Sequence, residues 1–422
     1  MAKATSGTTK GYALLRGQTA YWKYFTGVVV SRIGDSLDAL AYAWLVFALT
    51  GSASMSAVVV GVNALPSVLL TPLAAPLVDH LNKKAVIITV ALCRAAIVCV
   101  IAALHLFGLL APWMLIAGTF LTSSLEAFEQ PAGLAAYPRI VPRECFTPAK
   151  SLTATATQVA QLAGTAAAGL LIATIGVSGV LFIDAATYIF YAITISLIRL
   201  RAEEADVAAE NTALSVRTYL HDLREGFTVL RSKAIFLFIC GMAAVFNMLL
   251  VPMSALQAPF ADLLSGDASP LSIIGVSVTL GMLLSSALYP ALEARFPRWR
   301  IVLVGTFAVA AGYLSWVLAL HVPGGLAARY AVLAVGNAVL GLGVGAMNMA
   351  VNLSFMQHVE ERYMARIGSV MGAGCMAMMP LGAFGVAALA AVVPVPTLLL
   401  VFGLCLTALV AYLPALRTLR EL

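Results

Sequence analysis

Seven ionisable side chains interrupt stretches of sequence that are otherwise apolar enough to cross a lipid bilayer, and all seven lie in the first half of the chain. They are Arg32, Asp35, Asp38, Arg94, Glu126, Glu129 and Asp184. One charge near the middle of a membrane helix costs roughly 2.5–3.5 kcal/mol on insertion scales. Seven unpaired charges would cost more than a typical net folding stability of about 5–15 kcal/mol. They must therefore be paired, hydrated or protonated, and each arrangement indicates a polar path through the membrane and hence transport.

The spacing of these residues places several of them on common helix faces. Asp35 and Asp38 are three positions apart and share a face with Arg32, and Glu126 and Glu129 have the same separation. At ~1.5 Å of rise per residue, both sets lie at overlapping depths in the membrane. A static charge network that fixes helix packing and a site that moves protons both fit this pattern.

Two arginines, Arg32 and Arg94, are available in these spans to neutralise the acids. The candidates for proton coupling are Asp35, Asp38, Glu126 and Glu129. Once each arginine pairs with one of these four acids, two acids are left over. A carboxyl left unpaired in apolar surroundings can load and release a proton, and we expect Glu126 or Asp38 to have that role.

The composition predicts an all-α membrane protein. The chain is 61% hydrophobic and only 10% charged, with a mean hydropathy of +0.97, whereas soluble domains carry about 25% charged residues. Its 422 residues leave room for about twelve helices of ~20 residues. The predicted spans are 24–49, 54–79, 85–107, 112–135, 151–174, 178–199, 232–254, 270–290, 300–320, 327–350, 366–389 and 394–415.

A polar stretch at 200–231 divides these spans into two sets of six. We predict an N-terminal bundle over 24–199 and a C-terminal bundle over 232–415, with tails at 1–23 and 416–422. The loops after spans 2 and 8 repeat one pattern, in which an acid follows a proline by three residues and basic residues come four to five positions later. Two parallel six-helix halves with pseudo-symmetry are the plan of secondary transporters.

The distribution of lysine and arginine predicts that both termini and the linker at 200–231 are cytoplasmic, because Arg329 is the one basic residue on the opposite side. The net charge of +6 therefore reflects topology and does not indicate nucleic-acid binding. The six cysteines avoid the outer side and follow no metal-ligand spacing, so neither disulfides nor a metal cofactor is expected. Without a phosphate-binding loop or a catalytic constellation, an enzyme is not expected either.

Several segments resemble the major facilitator superfamily. Residues 79–84 read Asp-His-Leu-Asn-Lys-Lys and are similar to its helix 2–3 signature, with His80 in place of arginine and Asn82 in place of glycine. Other segments resemble the drug:proton antiporter branch that holds macrolide efflux pumps and the enterobactin exporter. These segments are 31–35, 44–52, 65–79, 130–132, 140–142, 149–152, 182–185, 357–369 and 380–382. In the antiporter motif of helix 5, Thr165 stands where proline is usual.

The resemblance implies a proton-coupled exporter of an amphipathic organic compound, of the drug or siderophore class, which works by alternating access in the bacterial cytoplasmic membrane. Expected partners are the substrate, protons and membrane lipid, and the protein is expected to be monomeric. The alternatives are a lysophospholipid flippase, an uncoupled facilitator, or a transport-dead sensor or assembly protein of the same fold.

The remaining candidate residues form two groups. The predicted cytoplasmic gate, which follows the family signature, consists of Asp79, Lys83, Lys84, Glu293 and Arg366. The predicted substrate cavity includes Tyr42, Gln158, Gln161, Asp184, Tyr188, Asn247, Asn337, Asn348, Met371 and Met378. Asp184 is placed near the outer end of its span, where we expect it to be solvated. The glutamines and methionines fit ordinary helix packing as well as substrate contact.

Overall fold

The computed structural model describes residues 14–79, 81–199, 234–358 and 361–412, which are helical and contain no strand. For 234–240, 355–358, 361–375 and a few single positions, including Asp79, only the backbone is described. The helices are α1 Thr19–Thr50, α2 Ala53–Leu69, α3 Thr71–Asp79, α4 Lys83–Leu106, α5 Pro112–Ile140, α6 Phe146–Ser196, α7 Ala234–Ser265, α8 Ser269–Glu293, α9 Arg298–His321, α10 Leu326–His358, α11 Glu361–Ala390 and α12 Val395–Tyr412. A 3-10 turn, Arg143–Cys145, precedes α6.

Two features of this order depart from one helix per predicted span. The span 54–79 is broken between α2 and α3, next to Pro66 and Pro72. Proline removes a backbone donor and crowds the preceding turn, so a break is expected there. Conversely, α6 contains two predicted spans that meet at Gly176, whose φ of 73° and ψ of 171° are non-helical. Glycine adopts such a conformation at little cost because it has no Cβ.

The helices confirm the predicted all-α membrane class. Within the described residues, seven helical segments are long and apolar enough to cross a membrane, and three shorter apolar helices accompany them. The 29-residue helix α5 is long enough but is not one of the seven. It contains Glu126 and Glu129, which lower the hydropathy of its middle turns.

The chain packs into two compact units. Among the described residues, unit 1 comprises 14–42 and 66–199, and unit 2 comprises 43–65 and 234–412. The core of unit 1 includes the buried residues Tyr21, Ile87, Tyr137 and Ile195. There the hydroxyl of Tyr21 donates to the carbonyl of Ala149 over 3.2 Å and joins α1 to α6.

Unit 2 has its own apolar core, centred on α9. Trp316 is fully buried, and its ring centroid lies 4.5 Å from that of Phe260 on α7. The C-terminal turns of α1 and most of α2 also pack in this unit. Ser54 donates a hydrogen bond of 2.7 Å to the carbonyl of Ala387 on α11. Packing thus groups residues 43–65 with unit 2, whereas the sequence repeat places them in the first bundle.

Candidate functional site: a buried charge network in unit 1

Arg94, on α4, lies between acids from two other helices. Its Nη2 is 3.4 Å from Oδ1 of Asp35 on α1, and its Nη1 is 3.5 Å from Oε2 of Glu129 on α5. The exposed fractions of the three side chains are 14%, 26% and 20%, so water screens these pairs only weakly. One guanidinium therefore pairs with two carboxylates and ties three helices together.

Tyr188 adds α6 to this network. Its hydroxyl donates a 2.6 Å hydrogen bond to Oδ1 of Asp35, and its ring centroid lies 4.4 Å from Cζ of Arg94. The ring face attracts the guanidinium while the hydroxyl holds the acid that the guanidinium pairs with. Arg32 is a weaker partner, since its Nη1 is 3.9 Å from Oδ2 of Asp35 and its side chain is 48% exposed.

Glycines bring α1 and α6 close enough for these contacts. A Cβ built on Gly34 would overlap Oγ1 of Thr187 and Oδ1 of Asp184. Seven residues earlier, a Cβ on Gly27 would overlap Oγ1 of Thr194. On the arm of α6 before the kink, a Cβ on Gly164 would lie 2.7 Å from the carbonyl oxygen of Ile33. Small residues at such intervals let membrane helices approach backbone to backbone.

Asp184 is buried, and this corrects the expectation that it is solvated near the outer end of its span. Its side chain is 0% exposed. It lies eight residues beyond the Gly176 kink, ~12 Å along the helix. Because Gly34 has no side chain, Asp184 packs directly against α1, with Thr187 donating to its Oδ1 over 3.4 Å.

Three buried polar atoms beside this contact have no hydrogen-bond partner. They are Oδ1 of Asp38, Oδ2 of Asp184 and the hydroxyl oxygen of Tyr42. The charges of Asp38 and Asp184 interact, and Tyr42 lies within electrostatic range of both. Unpartnered polar atoms cost free energy when they are buried, so their concentration at one place is unusual for a purely structural contact.

The arginines and acids are paired in a more uneven way than the sequence predicts. Arg94 takes two acids, and Arg32 shares one of them. Among the described residues, the acids that form no ion pair include Asp38 and Glu126. Asp38 is half-buried and Glu126 is exposed on α5. These are the two residues that the sequence favours as proton carriers, and that role stays a prediction.

Of the predicted cavity residues, the structure brings Tyr42, Asp184 and Tyr188 to the network. The others lie elsewhere. On α6, Gln158 is half-buried and Gln161 exposed. In unit 2, Asn337 is fully buried and is held within its own unit, accepting from Nε1 of Trp316 over 3.2 Å and donating to the carbonyl of Leu333 over 2.7 Å.

The four remaining cavity candidates in unit 2 differ in their setting. Asn247 donates to the carbonyl of Ala243 in its own helix over 2.9 Å. Asn348 is exposed and Met378 is half-buried. Met371 lies outside the described side chains. A substrate-binding role for these residues stays a prediction.

Of the predicted gate residues of unit 1, Lys84 caps a helix end. Nζ of Lys84 donates to the carbonyls of Ser196 and Ile198 over 2.6 and 2.8 Å, so this cation sits at the C-terminus of α6, where the helix dipole favours it. Asn82, which replaces the family's glycine, is the N-cap of α4 and accepts from the backbone N–H of Lys84 and Ala85. The loop therefore joins α4 to the end of α6.

The other gate residues are described only in part. Nη2 of Arg298 lies 2.6 Å from Oε1 of Glu293, so this acid closes the α8–α9 link. Lys83 begins α4. The predicted latch between Asp79 and Arg366 lies outside the described side chains.

Sequence reasoning missed the α1–α6 contact and the burial of Asp184. A signal for both was present. Gly27 and Gly34 recur at an interval of seven on α1, and Asp184 shares a helix face with Thr187 and Tyr188. The glycine stripe of α1 could have been paired with the polar stripe of α6. Periodicity alone, however, does not show which helices contact each other.

The fold and the charge network together define a helical membrane protein of the secondary transporter class, since such transporters combine two helical halves with intramembrane ionisable groups. The sequence profile of the transmembrane secretion effector family, MFS_3, matches residues 9–422, and the chain belongs to this major facilitator family of transporters.

Curated relatives cover most of the chain at low identity. Macrolide efflux protein A of Streptococcus pyogenes is 23% identical over 364 residues, which are 86% of this chain and 87% of that protein. Multidrug efflux pump Tap of Mycolicibacterium fortuitum is 25% identical over 364 residues, 83% and 84% of the two chains. Macrolide efflux protein A of Enterococcus faecalis is 24% identical over 320 residues, 75% of this chain and 95% of that protein.

Solved transporters share the fold. The nucleoside transporter NupG superposes with a TM-score of 0.75 at 12% identity, covering 94% of this chain and 98% of its own. A bacterial homologue of the iron transporter ferroportin, in an inward-facing state, gives a TM-score of 0.67 at 12% identity and covers 93% and 98%. At these identities the likeness concerns the fold, and the chain is a multi-pass membrane transporter with this architecture.

Proposed function

We propose that this protein exports amphipathic organic compounds from a bacterial cell and draws the energy from protons. The substrate class is supported by the relatives, which are a macrolide efflux protein and a multidrug efflux pump. The lysine and arginine distribution supports cytoplasmic termini, and the efflux named for the relatives supports export as the direction of transport. Alternation between two access states is the way in which transporters with two helical halves work.

The observation that carries the proton coupling is the surplus of acids over arginines in unit 1. Arg94 is occupied by Asp35 and Glu129, whereas Asp38 and Glu126 form no ion pair with a described residue. An acid without a cationic partner in low-dielectric surroundings is costly when charged, and a proton removes that cost. A change in water access during the transport cycle would then load or release the proton.

Transport by purified protein in liposomes tests this function. Vesicles with an imposed pH gradient are assayed for movement of erythromycin, a macrolide, and of the cationic dye ethidium. We expect the gradient to drive accumulation of at least one of these probes. Transport of either probe at the same rate with and without the gradient would instead indicate an uncoupled facilitator, and movement of neither would contradict the proposed substrate class.

Two amide substitutions identify the carrier. Asp38→Asn or Glu126→Gln should abolish pH-driven transport and leave probe binding nearly intact, because a neutral amide resembles the protonated acid. Asp262→Asn removes an exposed acid of α7 and is the matched control, for which we expect unchanged transport. If amide variants at Asp35, Asp38, Glu126 and Glu129 all retain pH-driven transport, these acids do not couple protons to export.

A further inference from the structure

A polar stripe on α1 faces the buried acid of α6. Gly34, Asp38 and Tyr42 recur every four residues and so lie along one side of α1. Contact at Gly34 places Asp184 and Thr187 against this side. Asp184 therefore contacts α1 at Gly34, one helical turn before Asp38, and lies within electrostatic range of Asp38.

The charges of this region do not balance. Asp35, Asp38, Glu129 and Asp184 bring four carboxylates, and the arginine that lies among them with low exposure is Arg94. Even if the half-exposed Arg32 is counted, the described acids exceed the arginines by two. Two neighbouring carboxylates in low dielectric do not both ionise readily, and such pairs commonly share a proton.

We propose that Asp38 and Asp184 form one site that binds a single proton between them, with Tyr42 as the third polar group of the site. This inference rests on the proton coupling proposed above and goes beyond it by assigning the site to a pair on two helices. The unpartnered oxygens Asp38 Oδ1 and Asp184 Oδ2 are the groups that the proton would bridge, directly or in alternation. Asp184 is 0% exposed, so its charge has no water to compensate it.

A proton fits this site better than a metal ion does. Calcium and magnesium take six or more oxygen ligands, and the unpartnered oxygens here are those of Asp38, Asp184 and Tyr42. Within the residues described, no group of three or more histidine, cysteine or acidic side chains is arranged to hold a metal. The hydroxyl of Thr187 donates to the backbone carbonyl of Asp184 over 2.8 Å and is therefore already engaged.

The groups around the pair set its charge. From α4, Arg94 attracts both acids, and from α1, Asp35 repels both. Arg94 and Tyr188 hold Asp35 in place beside the pair. The pair with one proton carries one negative charge, which Arg94 can stabilise, whereas the pair without a proton carries two.

Carbodiimide labelling tests the sharing. Dicyclohexylcarbodiimide adds to protonated carboxyls in apolar surroundings and forms a stable acylurea, which mass spectrometry locates on the separate peptides of α1 and α6. We expect labelling of Asp38 or Asp184 at neutral pH and its loss as the pH is raised. Asp35 and Glu129, which Arg94 neutralises, should remain unlabelled.

Single amide variants then separate sharing from independent protonation. In Asp38→Asn the amide replaces the neutral member of the pair, so Asp184 can stay ionised and its labelling should fall by about tenfold or more, as expected for strongly coupled acids. Asp184→Asn should do the same to Asp38. Glutamate at either position should restore labelling, and Asp262→Asn should not change it. Unchanged labelling of the remaining acid, or no labelling of either acid in the unsubstituted protein, would overturn the shared site.

The outcome does not depend on transport. If removing either acid lowers the labelling of the other, but transport does not depend on the pH gradient, the shared site is supported and the proposed proton-driven export is wrong. If each acid labels independently and pH-driven transport still requires Glu126, export stands and the shared site is wrong. Size-exclusion chromatography and thermal unfolding in detergent show which variants remain folded, and if one asparagine variant does not fold, the other provides the test.

Discussion

Arg94 supports more structure than one ion pair would. It contacts Asp35 and Glu129 and lies over the ring of Tyr188, so a single side chain links α1, α4, α5 and α6. Removing one member of a buried ion pair destabilises a protein more than replacing both members by apolar residues, because the remaining charge keeps its desolvation cost.

We therefore expect Arg94→Met to lower the free energy of unfolding by about 3–5 kcal/mol, the cost of leaving buried charge uncompensated. Thermal unfolding in detergent measures the effect. Arg32→Met is the matched control and should cost less than about 1 kcal/mol, because Arg32 is half-exposed and 3.9 Å from its partner. Adding Asp35→Asn and Glu129→Gln to Arg94→Met should restore much of the stability. Equal losses from both arginine variants would show that the network is not the stabilising element.

The pairing of helices, by contrast, is decided by residues that lack side chains. The face of α1 that meets α6 includes Gly27 and Gly34, where glycine leaves room, and the acids Asp35 and Asp38 follow Gly34. At Gly34 the space that a methyl group would need is occupied by Thr187 and Asp184.

We expect Gly34→Ala to separate α1 from α6, to lower the thermal stability, and to abolish pH-driven transport. Gly133→Ala is a matched control on α5, where a Cβ would meet no atom within 4 Å. There alanine should be neutral or stabilising by up to about 1 kcal/mol, in line with helix propensity. Thr187→Ala in the Gly34→Ala background should recover part of the stability, because it removes one of the two overlapping atoms. Equal effects of the two alanine substitutions would show that the α1–α6 contact is not tightly packed.

The positions of the helices along the chain were predictable from the sequence, but which helices contact each other was only partly predictable. Apolar length located most of the described helices, because membrane spans must satisfy their backbone internally. The C-terminal ends of α7 and α10 lie well beyond the predicted ends at 254 and 350. The possible partners of Arg94 followed from depth along the spans. The sharing of Arg94 by two acids did not follow, because it depends on how α1, α4 and α5 meet. The burial of Asp184 was missed for the same reason, since depth from a span end does not reveal that Gly34 lies opposite.

At the scale of the whole molecule, the division into two units does not coincide with the sequence repeat. Residues 43–65 pack with unit 2, where Gly61 lies against Phe384 and Ala383 of α11. A Cβ on Gly61 would be 3.0 Å from Phe384 and 3.2 Å from Ala383. These turns therefore pack with unit 2, although they precede the predicted linker in the sequence.

The orientation of the whole chain in the membrane is testable by cysteine labelling. In a background without native cysteines, a cysteine introduced at residue 5 or residue 420 should resist a membrane-impermeant maleimide in intact cells, because the basic residues predict that both termini are cytoplasmic. Gly325→Cys, in the turn between α9 and α10, lies near Arg329 on the predicted outer side and should label readily. Ready labelling at either terminus, or protection at residue 325, would reverse the assigned topology.

The joint at Gly176 has a consequence for how the protein is made. Helix α6 is kinked at one glycine, with no polar loop between the two predicted spans that it contains. No hydrophilic segment at the joint would keep one arm in water while the other arm inserts into the bilayer. The two arms must therefore enter the lipid together as a hairpin during synthesis, and an epitope or a glycan acceptor inserted at this joint would compete with biogenesis itself.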